Sequence, residues 1–443
     1  MTKQDNLKVT SFEVLKLVKA RELNSCGLNK ETTGSETDSK GGELAYNGSI
    51  EIIDMESSYD DCLNELNRFF NQSLNSENLV VLAGSGTSLT FNKPGTNIAP
   101  SMRSLWELCS QHKDFDSVLD IIGNKNINHK EEKDIELLLS ICDSIVENKF
   151  TDETSLETIE NFIKSAKSTI LEETNFVDNK LKNSEQANNN YWTHHDKFIR
   201  ILSKRSDKQE RLKLFTTNYD LAFEAAASNV GVIVIDGFEF TKPHRFNPSW
   251  YNNDIVHINH NDNKTEFLPN VMYLYKLHGS VDWVRNTKNN MIYKGNPLAN
   301  KENQESVFIY PSRKKYQFSY SSPYLDMISA FMAVLQKPRT TLFCLGFGFH
   351  DAHLNNAIFM ALRTNMSLNL VISTFNALDE EYSGINQEIR ENLYELIKAG
   401  DGRIMIIDSK FDTFVDSIPD RNKETPEERL ANSIDEILFN RRG

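Results

Sequence analysis

The chain has 443 residues, of which 39% are hydrophobic and 25% charged, and its formal net charge is −14. That length implies two or three structural units, and the acidic balance disfavours sequence-independent binding to nucleic acid, which draws on basic surface. No apolar run reaches the roughly 18 residues of a bilayer span. The five cysteines (Cys26, Cys62, Cys109, Cys142 and Cys344) form no CxxC pair, which fits reduced thiols and argues against a zinc ribbon.

The start, "MTKQDNLKVTSFEVLKLVKA", lacks the uninterrupted apolar core and small-residue cleavage site of a secretory signal, so the chain is expected in the cytoplasm. Residues 1–55 read as a partly flexible N-terminal extension. It holds one apolar-periodic stretch (Val9, Phe12, Leu15, Val18), then a Gly-, Ser- and Thr-rich segment with little to bury. From Tyr59 to Leu74, apolar residues at Leu63, Leu66, Phe69, Phe70 and Leu74 follow helical spacing. A strand-like run, "LVVLAG", comes next and exits into Gly84-Ser85-Gly86-Thr87-Ser88. No helix is expected directly after that turn: "LTFNKPGTNIAP", with Pro94, Gly95 and Pro100, reads as a mobile loop. Residues 56–100 are therefore the first part of a sheet-based core.

Residues 101–205 differ in character. "SLWELC", "SVLDIIG", "DIELLLSICDSIV", "SLETIENFIKSAKSTILEE" and "HDKFIRILSK" all carry helical periodicity, which defines a helical insertion; Ser155 is the expected start of its longest helix. Strand character returns in "KLFTT", "GVIVIDG", "MYLYKLHG", "SVFIYPS", "TLFCLGFG", "LNLVIST" and "RIMIIDS". Several are continuous apolar runs, as expected of strands covered on both faces. Helical segments ("LAFEAAAS", "YLDMISAFMAVLQK", "DAHLNNAIFMALRT", "EIRENLYELIKAG") alternate with them. Residues 206–380 complete the core and 381–443 form a C-terminal α/β extension; "PSRKKY" (311–316) reads as a solvated loop. The fold class is α/β: a Rossmann-like, mostly parallel, doubly wound sheet with an inserted helical subdomain.

In such a sheet, ligands sit outside the carboxyl ends of the strands. Four predicted strand exits carry polar chemistry there. They are Gly84 to Ser88; Thr216-Thr217-Asn218-Tyr219-Asp220; His278-Gly279-Ser280; and Gly346-Phe347-Gly348-Phe349-His350-Asp351. Each has a plain structural reading when taken alone. The glycine turn is a turn, Asn218 and Asp351 are helix caps, and His278 is a satisfied core histidine. Together they can line one cleft. His350, Asp351 and His353 are adjacent in sequence, but "HDAH" opens a helix and reads as capping and surface rather than a metal site.

The series "AGSGTS", "TTNYD", "LHGS" and a late glycine-rich exit resembles the sirtuin catalytic core, which shows a Gly-Ala-Gly-x-Ser turn, a Thr-Gln-Asn-Ile-Asp segment and a His-Gly pair in that order. It is most similar to sirtuin-like NAD-cleaving proteins of bacterial anti-phage defence, in particular the sirtuin-like subunit paired with a HerA-type ATPase. The resemblance spans residues 60–375 in layout. It implies that Gly84, Ser85, Gly86, Thr87 and Ser88 face the phosphates of NAD+, that Asn218, with Thr217, lies by the nicotinamide ribose and Asp220 near the carboxamide, and that His278 is the catalytic base. Gly346, Phe347 and Gly348 would line the adenosine half, with Asp351 or Asn355 as hydroxyl partners.

The departures bear on the reaction. No cysteine lies between His278 and Cys344, so the four-cysteine zinc module of deacylating sirtuins is missing and neither zinc nor any other metal is expected. The Gly-Ile-Pro-x-Phe-Arg segment is absent too. The leading expectation is a regulated NAD+ glycohydrolase that releases ADP-ribose and nicotinamide in abortive anti-phage defence, as a homo-oligomer partnered by a HerA-type ATPase, with no direct nucleic-acid or membrane binding. A protein deacylase or ADP-ribosyltransferase stays open. So does a subunit that binds NAD+ or ADP-ribose without turnover.

Overall fold

A computed structural model describes residues 16–20, 50–54, 70–123, 133–181, 191–206, 208–259, 264–299, 303–308, 322–377, 379 and 383–419. Most of the expected 59–74 helix, the segment before Lys16, the 27–49 linker and "PSRKKY" lie outside these residues; 70–74 are helical.

In chain order the strands are β1 (Lys16–Ala20), β2 (Ile50–Asp54), β3 (Asn78–Ala83), β4 (Leu212–Thr216), β5 (Ile233–Ile235), β6 (Val256–Asn259), β7 (Lys264–Phe267), β8 (Val271–Lys276), β9 (Gly279–Asn286), β10 (Ile292–Lys294), β11 (Gln304–Phe308), β12 (Thr340–Leu345), β13 (Asn369–Thr374) and β14 (Ile404–Asp408). Nine of them form one sheet in the order β2-β1-β14-β13-β12-β3-β4-β8-β5. The seven from β14 to β5 run parallel, while β1 and β2 add an antiparallel edge. The Rossmann-like, doubly wound reading therefore holds. "SVFIYPS" departs from it, because β11 pairs with β9 in a separate three-stranded sheet.

Alternate residues along each central strand point to opposite faces. Val80, Leu82, Phe215, Leu342, Cys344, Leu370 and Ile372 meet the helices Tyr324–Leu335, Ala352–Thr364 and Gln387–Lys398. Leu79, Val81, Leu212, Leu214, Phe343 and Val371 meet the helices Thr193–Leu202, Ala222–Asn229 and Phe411–Ser417. Each fully buried Leu, Ile, Val or Phe side chain stabilises the sandwich by about 1.5–3 kcal/mol. This two-sided cover is why the strands read as unbroken apolar runs.

The helices Met102–Cys109, Phe115–Gly123, Ile135–Asn148 and Glu153–Thr174 close around their own core of Trp106, Phe115, Leu138, Phe162 and Ile170. The last helix of the 101–205 stretch does not join them, because Phe198, Ile199 and Leu202 pack on the sheet. The longest helix starts at Glu153, not at Ser155. Asp152 caps it, with its carboxylate accepting from the Ser155 amide (3.0 Å) and hydroxyl (2.9 Å).

Two expectations around the first exit change. A short helix, Ser85–Ser88, does open directly after β3, followed by a 3-10 turn at Leu89–Phe91. The loop beyond has pinned ends: Phe91, Ile98 and Ala99 are buried, and Asn92 Oδ1 accepts from the amides of Ile98 (2.7 Å) and Ala99 (2.8 Å). Only Lys93 to Thr96 and the adjoining Asn97 stay exposed.

Candidate active site

The strands that carry the four polar exits are neighbours in the sheet, in the order β12-β3-β4-β8. Their last residues stand in register: Leu345 beside Ala83, Ala83 beside Thr216, Thr216 beside Lys276. The chain leaves β3 toward β4 on one side and returns to β12 on the other. The join between β3 and β12 is thus the switch point of the sheet, where a crevice opens outside the strand ends.

Glycine is required at that join. The Gly84 amide donates to Leu345 O (2.9 Å) and the Gly86 amide to Gly346 O (3.0 Å). A Cβ on Gly84 would lie 2.6 Å from Gly346 O, and one on Gly346 would lie 2.6 Å from the Thr87 nitrogen. Gly346 also has φ +55°, in the left-handed region. The first and last exits are therefore stitched main chain to main chain. Two amides expected to cradle phosphate already serve the fold, and the turn turns its exposed Ser85 outward.

The second exit is locked onto the first. Asn218, buried to 7% exposure, donates from Nδ2 to Gly84 O (3.1 Å), Thr87 Oγ1 (3.1 Å) and Ser88 Oγ (2.9 Å). Ser88 Oγ in turn donates to Asp220 Oδ2 (2.7 Å), and Asp220 Oδ1 accepts from the Ala222 amide (3.0 Å). So Asn218 is not the cap of the following helix; Asp220 accepts that helix's amide. The Asn218 amide group is oriented with its NH2 end on the turn. Thr217 donates its backbone amide to Ala83 O (3.0 Å), a link between strands.

Lys276, at the end of β8 and 2% exposed, ties the third exit to the second. Its ammonium donates to the carbonyls of Tyr219 and Asp220 and pairs with Glu224 at 3.2 Å. A buried lysine in this position is held by its acceptors. After it, Gly279 takes φ +90°, which lets the chain turn from His278 directly into β9.

The fourth exit closes on the third. His278 Nε2 lies 3.1 Å from Asp351 Oδ2. Asp351 Oδ1 accepts the amides of His353 (2.8 Å) and Leu354 (3.1 Å), so it caps the helix Ala352–Thr364 as expected and holds the imidazole as well. Burial by itself would raise the Asp351 carboxyl, but the hydrogen bond and charge of His278, with the Leu354 amide, outweigh it and hold the carboxyl below its ordinary range. An ionised Asp351 only accepts, so Nε2 carries the ring proton of neutral His278 and Nδ1 keeps the lone pair.

Three expected residues sit apart from this polar chain. Phe347 and Phe349 pack ring against ring, at 4.9 Å between centroids. Gly348 accepts the Asn386 amide at its carbonyl (2.9 Å). Asn355 donates from Nδ2 to Phe349 O (2.8 Å), holding the positive φ of Phe349, which leaves its Oδ1 buried without a partner among the described residues.

Tyr219, Lys276 and Glu136 were not singled out from sequence. A lysine inside "MYLYKLHG" is a legible signal, since a charge in a two-sided apolar strand needs a reason. Glu136 offers no such signal. It belongs to the helix Ile135–Asn148 and accepts the Tyr219 hydroxyl proton at 2.9 Å, across 83 residues of sequence. Among the described residues, no group of three His, Cys, Asp or Glu is placed to hold a metal ion.

Residues 212–396 match the SIR2-like domain family. The match begins at β4 and takes in Asn218, Asp220, His278, Asp351 and Asn355; the Gly84–Ser88 turn and Glu136 fall before it. No curated protein matches the chain in sequence. Similar solved structures include a mutant Sir2 homologue in complex with ADP ribose (12% identity, 75% of this chain and 94% of that chain, TM-score 0.34). A Sir2–p53 peptide–NAD+ structure gives 12% identity over 76% and 98%, with TM-score 0.33. A structure from work on the mechanism and regulation of Sir2 enzymes gives 10% identity over 80% and 95%, with TM-score 0.36.

Proposed function

We propose that the chain is an NAD+ glycohydrolase, with Asn218 and His278 at the reacting end of the cleft. The observation that carries the reading is the His278–Asp351 pair: a buried imidazole whose Nε2 is committed to a carboxylate, so that Nδ1 is available as a base. The exit of the neighbouring strand β4 carries an amide fixed at one end by the β3 turn. Both lie within the stretch that matches the SIR2-like domain.

Each residue type suits the reaction. Breaking the bond between nicotinamide and ribose puts oxocarbenium character on the sugar, and attack by water releases one proton. NAD+ and water thus become ADP-ribose, nicotinamide and a proton. His278 Nδ1 takes that proton, a step with which a positioned base typically accelerates a reaction about 10²–10⁴-fold. Asp351 stabilises the imidazolium so formed. Asn218 presents its carbonyl end to a ribose hydroxyl or the attacking water. Ser85 and the exposed rim of the turn meet the phosphates, while Gly346 to Gly348 and the Asn355 carbonyl line the adenosine half.

In the cell we place this activity in the cytoplasm, in abortive anti-phage defence, as a homo-oligomer working with a HerA-type ATPase. The support is the likeness of "FTTNYDLAFE", "YLYKLHGS" and "LGFGF" to such proteins. The test is nicotinamide release by the purified full-length chain, with and without that ATPase. His278→Ala and Asn218→Ala are each expected to lower release by about 10²-fold or more while circular dichroism stays unchanged. Undiminished cleavage in both variants overturns the assignment. Release strictly dependent on an acyl-lysine peptide selects the deacylase instead, and tight NAD+ binding without release in either condition selects a binding subunit.

A further inference from the structure

Among the described residues, the helical insertion reaches the site through a polar contact. Glu136 Oε1, on the helix Ile135–Asn148, accepts from Tyr219 Oη at 2.9 Å, and the Tyr219 ring lies 6.4 Å from that of His278, centroid to centroid. Tyr219 is a rigid spacer. Its carbonyl accepts from the Val281 amide (3.0 Å), Lys276 Nζ (3.2 Å) and Ser280 Oγ (3.4 Å). Its side chain is wedged between Val281 of β9 and Leu171 of the helix Glu153–Thr174.

The groups that act on Glu136 come from its own helix and from three strand exits. His278, from the end of β8, is of opposite sign when protonated. Asp351, at the cap of the helix Ala352–Thr364, and Asp134, on its own helix, are of like sign; Tyr219 supplies the hydrogen bond. Burial pushes the Glu136 carboxyl up to about 7, with the charge of His278 pulling the other way.

We propose that Glu136 is a positioning residue for His278: held in place by Tyr219, its carboxylate faces the imidazole when the histidine takes up a proton, and so sets how readily the histidine does so. The proton from water goes to His278, not to Glu136, which touches no substrate. Asp351 is the fixed counter-charge and Glu136 the adjustable one, delivered by the insertion. The inference rests on the NAD+-cleaving reading only for its activity measurement.

The test is titration of the His278 ring by NMR in the full-length chain labelled with ring-13C histidine, the signal being assigned by its loss in His278→Ala. Glu136→Gln keeps an acceptor for Tyr219 Oη and removes the charge, whereas Glu136→Asp keeps the charge on a shorter stem. Glu136→Gln is expected to move the His278 midpoint down by about half a pH unit or more, and Glu136→Asp to restore part of it. Tyr219→Phe, which unties the carboxyl and makes it harder to ionise, moves the midpoint in the same direction. The acid limb of kcat/KM for nicotinamide release moves with the ring titration, because neutral imidazole persists to lower pH. A His278 titration in Glu136→Gln that overlays the wild type overturns the proposal. The ring titration needs no substrate, so absent NAD+ cleavage refutes the proposed reaction while this test still decides.

Discussion

Gly346 and His278 show two ways in which a single residue shapes the cleft. Gly346 acts by having no side chain: its positive φ and the Thr87 nitrogen 2.6 Å from a would-be Cβ leave no room for one. Gly346→Ala is expected to destabilise the protein by at least about 2 kcal/mol, since the left-handed backbone alone costs an L-residue roughly 1–2 kcal/mol and the contact is with main chain. The urea midpoint measures it; an unchanged midpoint would show that the β3 and β12 exits can move apart. His278 acts through its neighbours instead. It was legible from sequence as a candidate, but the pairing with Asp351 was not, because 73 residues separate them. The same holds for Asn218, whose capping appearance in "TTNYD" conceals three bonds to a turn more than a hundred residues earlier.

At the scale of elements, helical periodicity located the insertion and could not say what it touches. Its internal seam was readable in the spacing of Leu138, Cys142 and Ile145 along one helix, whereas Leu171 looks like any other buried position until it is found against Tyr219 and Val281. That contact gives the insertion a lever on the site. Leu171→Ala is expected to cost about 2–4 kcal/mol by leaving a cavity between insertion and core, and to raise amide exchange at Tyr219 and across the helix Glu153–Thr174 together. Faster exchange in the helix with none at Tyr219 would show that the two are not coupled. The loop at Leu89–Pro100 teaches the opposite lesson. Proline and glycine suggested mobility, yet the side chain of Asn92 and the burial of Phe91 determine its shape, and neither follows from local composition.

For the whole molecule, alternation of apolar strands with helices was enough to foresee the parallel sheet, because two-sided cover leaves a strong compositional trace. The antiparallel edge of β1 and β2 was not foreseen: its strands are short and separated by a polar segment that carries no pattern. Global stability holds one further legible-only-in-structure feature. His195 is fully buried among Phe91, Phe223 and Phe411, with neither ring nitrogen partnered among the described residues. Burial, and secondarily the charge of His194, lowers its titration to about 3. The unfolded chain, with an ordinary histidine near 6.5, therefore binds a proton first as pH falls. Stability is expected to drop between about 6.5 and 3, by up to about 1.4 kcal/mol per pH unit from this residue, and to gain nothing from it at higher pH. His195→Phe removes that slope. Urea titrations at pH 7 and pH 5 check it, and a variant with the same difference between the two pH values as the wild type would refute it.

The main-chain seam between Gly84, Gly86 and Gly346 has a consequence for how such a gene can diverge. Side chains elsewhere in the cleft can be exchanged under selection for a different ligand, but this wall has none to exchange. Its width is inherited with the backbone. Descendants that acquire new specificity must therefore do so through the side chains that flank the seam, Ser85 and the Phe347–Asp351 segment, and through the docked insertion, so that sequence drift around the pocket is channelled rather than uniform.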